Sequence, residues 1–216
     1  LEGYVLDPLQ HIVTISPDSE TSGIIEREVF ADNDFTKVEV SKTDITTHEH
    51  IKGATMQIIN KDNGKVVYEW ISDGTTKLFE RVPVGNYILH EEKAPENSGY
   101  LLANDIEFTV QERTDIQSVE MKEDYTKFDI SKTDIATGKE IIGATLQIKD
   151  KDGNVVHEWV TDGKPHRIEY LPIDTTFILH EEYVADGYVH AEDIEFTVKE
   201  TGEIQKVNMK DDYTRT

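Results

Sequence analysis

Short runs in which apolar and polar residues alternate recur along most of the chain. Alternation with a period of two is typical of strands that bury one face of a sheet. Asn63-Gly64 and Asp152-Gly153 are strong signals for hairpin turns between such runs. No stretch keeps helical spacing for more than a turn, so the pattern predicts an all-β protein. The clearest runs are 38–40, 55–58, 66–68, 87–89, 106–110 and 118–121.

An internal repeat divides the chain. The sequence of 41–45 returns at 131–135 with the same Ser-Lys-Thr-Asp-Ile, and that of 105–110 returns unchanged at 193–198. A period of about 88–90 residues is a normal size for a β-sandwich module, and seven or so short strands per repeat predict an immunoglobulin-like sandwich. We therefore predict two complete tandem domains, which are 36–125 and 126–216.

Residues 1–35 match only the last third of the repeat, because 3–6 resemble 99–102 and 34–37 resemble 124–127. We interpret this segment as the C-terminal strands of a truncated upstream repeat, in a piece of a longer array. The repeats follow one another without a linker, which predicts a stiff rod. We expect each repeat to contact the neighbouring repeats of the same chain. An exposed strand within the segment would also suit docking onto another molecule.

The composition narrows the possible partners and the possible chemistry. The chain has 44 acidic and 22 basic residues, which gives a formal charge of -22. Such a charge repels nucleic acid and anionic membranes, and no segment is apolar enough to span a bilayer. We expect neither nucleic-acid binding nor membrane insertion. The chain has no cysteine, so any covalent reinforcement must use other groups.

Two short segments have the composition of metal sites. His48-Glu49-His50 stands where the repeat has a turn, so a solvated loop is the better interpretation. The segment 150–154 aligns with a hairpin turn of the first repeat and lacks the glutamate and helices of a calcium loop. We expect no metal and no cofactor.

Three ionisable residues of the second repeat fall where the alternation predicts apolar core. Lys132 shares the inward face of its strand with Phe128 and Ile130, since residues two apart in a strand point the same way. Glu181 and Asp211 stand in the same relation to apolar residues of two other strands. A single inward charge is usually a strand-end residue that reaches solvent. Three of them on separate strands predict a shared buried site.

The first repeat has the same pattern at Lys42, Glu91 and Glu123. Burial disfavours the charged forms of amines and carboxyls, so a neutral amine and a neutral acid can lie side by side. Fixed proximity of that kind is worth roughly 7–11 kcal/mol of a reaction barrier. A second carboxyl can polarise the target carbonyl and carry protons. The predicted product is a lysine–carboxyl amide that closes a loop across almost the whole module.

Several motifs resemble the collagen-adhesin B-type (Cna B) domains of Gram-positive surface proteins and pilins. These motifs are the first-strand Ser-Lys, Gly-Ala-Thr, Trp-x-x-Asp-Gly, the Glu-x-x-Ala-Pro segment and the Met-x-Asp-x-Tyr ending. The chain is similar in particular to the fibronectin-binding-adhesin domain used for peptide–protein ligation tags. The resemblance implies lysine–aspartate isopeptide bonds with an assisting glutamate. The implied residues are the lysines Lys42 and Lys132, the catalytic glutamates Glu91 and Glu181, and the acceptors Asn33, Glu123 and Asp211.

The three acceptors are not equivalent. Asp211 matches the family's aspartate, so we expect the crosslink between Lys132 and Asp211. Glu123 adds a methylene, which moves its carboxyl carbon by more than about one ångström and makes it the poorer acceptor for Lys42. Asn33 is an orphan acceptor, because its lysine and glutamate would lie upstream of the chain.

The resemblance implies a structural stalk or spacer on the surface of a Gram-positive bacterium, outside the cell at the cell wall. Each bond forms once, so we do not expect an enzyme in the sense of turnover. Two alternatives stay open at this point. The modules could be an adhesin that binds a host protein or glycan, or they could be accessory modules of a secreted enzyme.

Overall fold

A computed structural model describes residues 2–6 and 33–214, and in this part of the chain all regular structure is β. The strands of the first module are β1 (Lys37–Asp44), β2 (Lys52–Asn60), β3 (Val66–Asp73), β4 (Lys77–Glu80), β5 (Gly85–Lys93), β6 (Ile106–Val110) and β7 (Ile116–Glu123). Those of the second are β8 (Lys127–Asp134), β9 (Ile142–Lys149), β10 (Val155–Asp162), β11 (His166–Glu169), β12 (Thr176–Tyr183), β13 (Ile194–Thr197) and β14 (Ile204–Asp211). Within these ranges no helix has the length and hydropathy needed to cross a bilayer.

Each module is a sandwich of a four-stranded and a three-stranded sheet. The first module has the strand orders β3-β2-β5-β6 and β4-β1-β7, and the second has β10-β9-β12-β13 and β11-β8-β14. The faces between the two sheets of a module bury its apolar residues. The prediction of an all-β chain of tandem immunoglobulin-like sandwiches is therefore confirmed.

The core of each module consists of the inward-facing residues of strands in which apolar and polar positions alternate. In the second module, fully or almost fully buried residues include Phe128, Ile130, Leu146, Leu179 and Met209. The first module buries the corresponding positions, and both cores extend along their inner strands to the ionisable residues. The alternation that fills the core therefore also carries charged side chains inward at the ends of these strands.

The first and last strands of each module are parallel neighbours. In the register of β1 with β7, Lys42 faces Met121, and in that of β8 with β14, Lys132 faces Met209. Side chains two residues apart share a face, so the carboxyl two residues after each methionine lies diagonally beside the lysine. This pairing joins residues that are distant in sequence and positions the candidate site.

The short upstream segments pack against the first module. Tyr4 and Phe35 form a β-bridge, and the Thr36 N–H donates to the Gly3 carbonyl at 3.0 Å. The Leu6 N–H also donates to Glu112 Oε1 at 3.1 Å. The remaining strands predicted for an upstream repeat within 1–35 fall on residues 7–32, which lie outside the described part of the chain.

Candidate functional site

The second module brings its three predicted residues together at one end of the core. Lys132 comes from β8, Glu181 from β12 and Asp211 from β14. Lys132 and Asp211 are each 1% exposed and Glu181 is fully buried. The site joins both sheets of the sandwich, since β8 and β14 belong to one sheet and β12 to the other.

The amine of Lys132 contacts both carboxyls. Its Nζ donates a hydrogen bond to Asp211 Oδ1 and lies 2.9 Å from Glu181 Oε1. The other oxygen of Glu181 accepts a hydrogen bond of 2.8 Å from the Ala191 N–H. Among the described residues, Asp211 Oδ2 is buried without a hydrogen-bond partner. The amine therefore lies against its target carboxyl, while a backbone donor holds the neighbouring glutamate in place.

The electrostatics of this site favour a neutral Asp211. Burial raises the pKa of the Asp211 carboxyl, and the neighbouring Glu181 raises it further, while Lys132 opposes both effects. The net direction is upward. When an amine attacks a protonated carboxyl, the hydroxyl group can leave as water. A carboxylate has no such leaving group and reacts poorly with amines. The site thus favours the protonation state that amide formation requires.

The first module has the same arrangement with a longer acceptor. Lys42 Nζ lies 3.0 Å from Glu91 Oε2 and 3.4 Å from Glu123 Oε2. The Ala103 N–H donates to the same Glu91 Oε2 at 2.7 Å, whereas in the second module the backbone donor and the lysine contact different oxygens of Glu181. Within the described chain, neither oxygen of Glu123 nor the Lys42 amine has a partner in hydrogen-bond geometry. The extra methylene therefore leaves this cluster close but poorly aligned.

Burial also dominates the titration of Glu123. It raises the pKa of this carboxyl to about 8, with a smaller upward contribution from Glu91 and an opposing one from Lys42. At neutral pH Glu123 is therefore mostly protonated and adds no charge of its own to the buried cluster, which limits the cost of burying this carboxyl.

The stability of the first module is expected to fall as pH rises from 4.5 to about 8. The folded pKa of Glu123 is about 8 against an ordinary 4.5, so the folded module binds more protons in this interval. The contribution is fully present below pH 4.5, is lost by about pH 8, and amounts to at most about 5 kcal/mol. Urea unfolding at several pH values measures it. Glu123→Gln is the matched control and should flatten the dependence; an unchanged slope would contradict the assignment.

The other predicted residues lie outside these clusters. Asn33 is exposed at the start of the second described segment, and His48 and His50 are exposed in the loop after β1. The segment 150–154 forms the predicted hairpin turn, in which Asp150 Oδ1 accepts the N–H groups of Asp152 and Asn154. Across residues 2–6 and 33–214, no group of three or more His, Asp or Glu side chains is arranged to hold a metal ion.

A second buried acidic position was missed by the alternation pattern. Asp44 and Asp134, at the ends of β1 and β8, are 1% and 2% exposed. Asp44 Oδ2 accepts hydroxyl hydrogen bonds from Tyr100 at 3.2 Å and from Tyr170 of the second module at 2.8 Å. Burial alone would raise the pKa of Asp44, but backbone N–H groups and these hydroxyls together lower it. The repeated Ser-Lys-Thr-Asp and the tyrosines were the available signals.

Comparison with known proteins identifies the fold of both modules. The family model of the SpaA prealbumin-like fold domain matches residues 36–125 and again 126–213. This match confirms the resemblance inferred from the sequence. No curated protein matches the chain.

Several solved structures are similar to the chain. The Bacillus anthracis TIE protein is 25% identical, with a TM-score of 0.49, over 82% of this chain and 34% of that protein. The shaft pilin SpaA of Lactobacillus rhamnosus GG is 15% identical, with a TM-score of 0.38, over 84% of this chain and 98% of that one. BcpA, the major pilin subunit of Bacillus cereus, is 12% identical, with a TM-score of 0.37, over 83% and 99%. The chain thus spans about a third of the length of the first.

Proposed function

The chain belongs to the SpaA prealbumin-like domain family, in two consecutive modules, and from this we propose that it is a structural, pilin-like stalk segment reinforced by an isopeptide bond between Lys132 and Asp211. The observation that carries the proposal is the buried contact of the Lys132 amine with both Asp211 and Glu181. A buried amine held against a protonated carboxyl is an arrangement suited to condensation.

The proposed reaction balances with these three side chains alone. The neutral Lys132 amine attacks Cγ of the protonated Asp211, and a C–N bond forms. Glu181 takes a proton from the attacking nitrogen and gives it to the departing hydroxyl, so the C–O bond breaks and one water leaves. Glu181 ends in the protonation state in which it began. The fixed distances replace the entropy that a bimolecular reaction would lose.

The backbone donor at Ala191 has a defined role in this reaction. Its N–H holds Glu181 Oε2 at 2.8 Å and leaves Oε1 directed at the lysine, 2.9 Å from Nζ. A base is effective only within hydrogen-bond reach of the proton it takes. In the first module the Ala103 N–H and the Lys42 amine share one oxygen, Glu91 Oε2, so the two modules differ in the orientation of the glutamate as well as in the acceptor.

The bond lies on the path of a pulling force. In a serial array the chain enters the second module at the start of β8 and leaves at the end of β14, and these strands are parallel neighbours. Tension therefore shears this pair of strands first. A Lys132–Asp211 amide would carry that tension covalently, and the residues between the two would not extend. Such behaviour suits an extracellular stalk on a Gram-positive cell wall, and a bond that forms once is self-modification without turnover.

Intact-mass spectrometry of the purified protein tests the proposal. We expect the mass of the unmodified sequence minus one water, and the full mass in Asp211→Ala and in Lys132→Ala. Glu123→Ala is the matched control in the first module and should still lack one water. A wild-type mass without any deficit would rule out the crosslink. A deficit of two waters would show that Glu123 also reacts.

A further inference from the structure

The two modules meet at a joint centred on Thr126. Its N–H donates to the Gly99 carbonyl of the first module at 2.9 Å, and its carbonyl accepts from the Tyr170 N–H of the second at 3.0 Å. Its hydroxyl donates to the Leu171 carbonyl at 2.7 Å. Thr126 is fully buried. One residue thus has hydrogen bonds to both modules.

Close backbone contact makes this joint selective for glycine. Gly99 has a φ of +72°, and a Cβ placed on it would lie 2.4 Å from the carbonyl carbon of Tyr170. Tyr170 is itself left-handed, with a φ of 63°. Since the obstructing atoms belong to the backbone, a side chain at Gly99 would force the modules apart.

The upstream segment joins the first module in the same way. The Thr36 N–H donates to the Gly3 carbonyl at 3.0 Å, the Arg81 N–H donates to the Thr36 carbonyl at 2.9 Å, and the Thr36 hydroxyl donates to the Val82 carbonyl at 2.6 Å. Arg81 is left-handed with a φ of 59°, and a Cβ on Gly3 would lie 2.2 Å from its carbonyl oxygen. The joint is therefore a repeated element of the chain.

Each joint holds one flat side chain between two aromatic rings. The Tyr170 ring stacks on Tyr125, with centroids 4.1 Å apart, and meets the edge of Tyr100 at 5.4 Å. Its hydroxyl reaches Asp44. In this pocket an aromatic ring gains stacking and a carboxylate partner at once.

At the upstream joint the flat side chain is a guanidinium. The Arg81 Cζ lies 4.3 Å from the centroid of the Phe35 ring and 5.6 Å from that of Tyr4. Arginine stacks on aromatic faces through cation–π attraction. Arg81 and Tyr170 each precede an aliphatic residue and a proline. In both joints, the module that follows the threonine contributes a left-handed Arg or Tyr, and an aliphatic residue and a proline come directly after it.

The C-terminal end of the second module has the residues that the preceding module contributes to a joint, but within the described chain no following module lies against them. The Thr214 N–H donates to the Gly187 carbonyl at 3.0 Å, and Tyr188 and Tyr213 form the corresponding bridge with stacked rings. Asp134 accepts the Tyr188 hydroxyl at 3.2 Å. The hydrogen bond from Tyr213 is the largest cause holding the pKa of Asp134 at about 2. The carboxylate is therefore charged at neutral pH.

The corresponding residues are open at this end. Gly187 has a φ of +87°, and a Cβ on it would meet no described atom within 4 Å. Tyr213 is 45% exposed, whereas Tyr125 is 2% exposed. The Thr214 hydroxyl donates back to the Gly187 carbonyl at 3.0 Å, in contrast to the Thr126 hydroxyl, which bonds the next module.

We propose that the face formed by Gly187, Tyr188, Tyr213, Asp134 and Thr214 is a docking face for the leading edge of a further prealbumin-like module joined through Thr214. The module it fits presents a left-handed Tyr or Arg before an aliphatic residue and proline. That backbone covers Gly187, and the flat side chain stacks on the tyrosines beside Asp134. This inference shares with the proposed function only the assumption that modules are joined in series. It does not depend on the crosslink.

An extended chain, in which a second copy of residues 127–214 follows Thr214, tests this proposal. Hydrogen exchange followed by NMR reports the Thr214 N–H directly. We expect its exchange to slow by on the order of a hundredfold, toward that of Thr126, because the joint must open before it exchanges. Gly187→Ala should abolish this protection in the extended chain and leave Thr126 unchanged. In the unextended chain the same substitution measures the cost of the positive φ alone.

The copied Tyr170 provides the test of chemistry. Tyr170→Arg in the copy should keep the protection of Thr214, since Arg81 has that place upstream, and Tyr170→Ser should lose most of it. A folded copy with Thr214 exchanging as in the unextended chain would overturn the proposal. So would a copy that fails to fold, because the same sequence folds behind Thr126. Intact mass is independent of these results, so failure of the joint and failure of the crosslink are distinguishable.

Discussion

Asp211→Ala is expected to lower the unfolding temperature of the second module by roughly 20 °C or more. Lys132 and Asp211 are 79 positions apart. A covalent link across a loop of about 80 residues stabilises by about 4.5 kcal/mol when treated as a constraint on the unfolded chain. For a module of this size each kcal/mol corresponds to about 4–8 °C. Scanning calorimetry, which follows both modules at once, gives the measurement.

The first module supplies the matched control for this experiment. Glu123→Ala removes a buried carboxyl at the corresponding position without breaking a covalent bond. We expect a shift of only a few degrees in either direction, since the substitution also relieves a buried acid beside Glu91. Equal shifts for Asp211→Ala and Glu123→Ala would mean that Asp211 acts only as a buried carboxyl, as Glu123 does, and would rule out the covalent bond and its proposed mechanical role.

Glu123→Asp is expected to install a second crosslink. The substitution removes the methylene that separates the first module's acceptor from that of the second, and Lys42, Glu91 and the Ala103 donor are already in place. A misplacement of about one ångström costs on the order of a hundredfold in rate, so restoring the shorter side chain should restore the reaction.

Two measurements test for the second crosslink. The intact mass should fall by a second water relative to the sequence of the variant, and the first module should unfold at least roughly 15 °C higher, because its loop is about as long as that of the second. Glu123→Asp combined with Glu91→Gln is the control, since it keeps the short acceptor and removes the proton carrier. If Glu123→Asp still lost only one water, the extra methylene of Glu123 would not be the reason why the first module lacks the crosslink.

The sequence predicted the site because strand alternation extends to it. Lys132 continues the inward face of Phe128 and Ile130, and Asp211 continues that of Met209, so a period of two was sufficient to find them. The parallel neighbourhood of β8 and β14 is non-local, and alternation within one strand carries no information about it. The resemblance to a known family paired Lys132 with Asp211, but the parallel register of the two strands was not predicted.

The contacts between the two modules at the tyrosine joint could not be predicted from the sequence, for a different physical reason. Thr43 and Asp44 are consecutive and both buried, as are Thr133 and Asp134 in the second module, which breaks the alternation at the end of each first strand. The hydrogen bond that Asp44 accepts from Tyr170 joins two modules and residues that lie 126 positions apart. Patterns within one module cannot show an environment that two modules create together.

The pairing of the first strand with the last also sets an order of events. A chain that is delivered from its N-terminus presents Lys132 early and Asp211 only when the module is complete. Until then the lysine has no acceptor, and the β11-β8-β14 sheet lacks an edge strand. The second module must therefore be released whole before the proposed Lys132–Asp211 bond can form, and in an array of such modules the bonds should form one after another in the order of delivery. A module closed by the proposed bond would be a covalent ring, which could no longer be threaded through a narrow channel as a single strand.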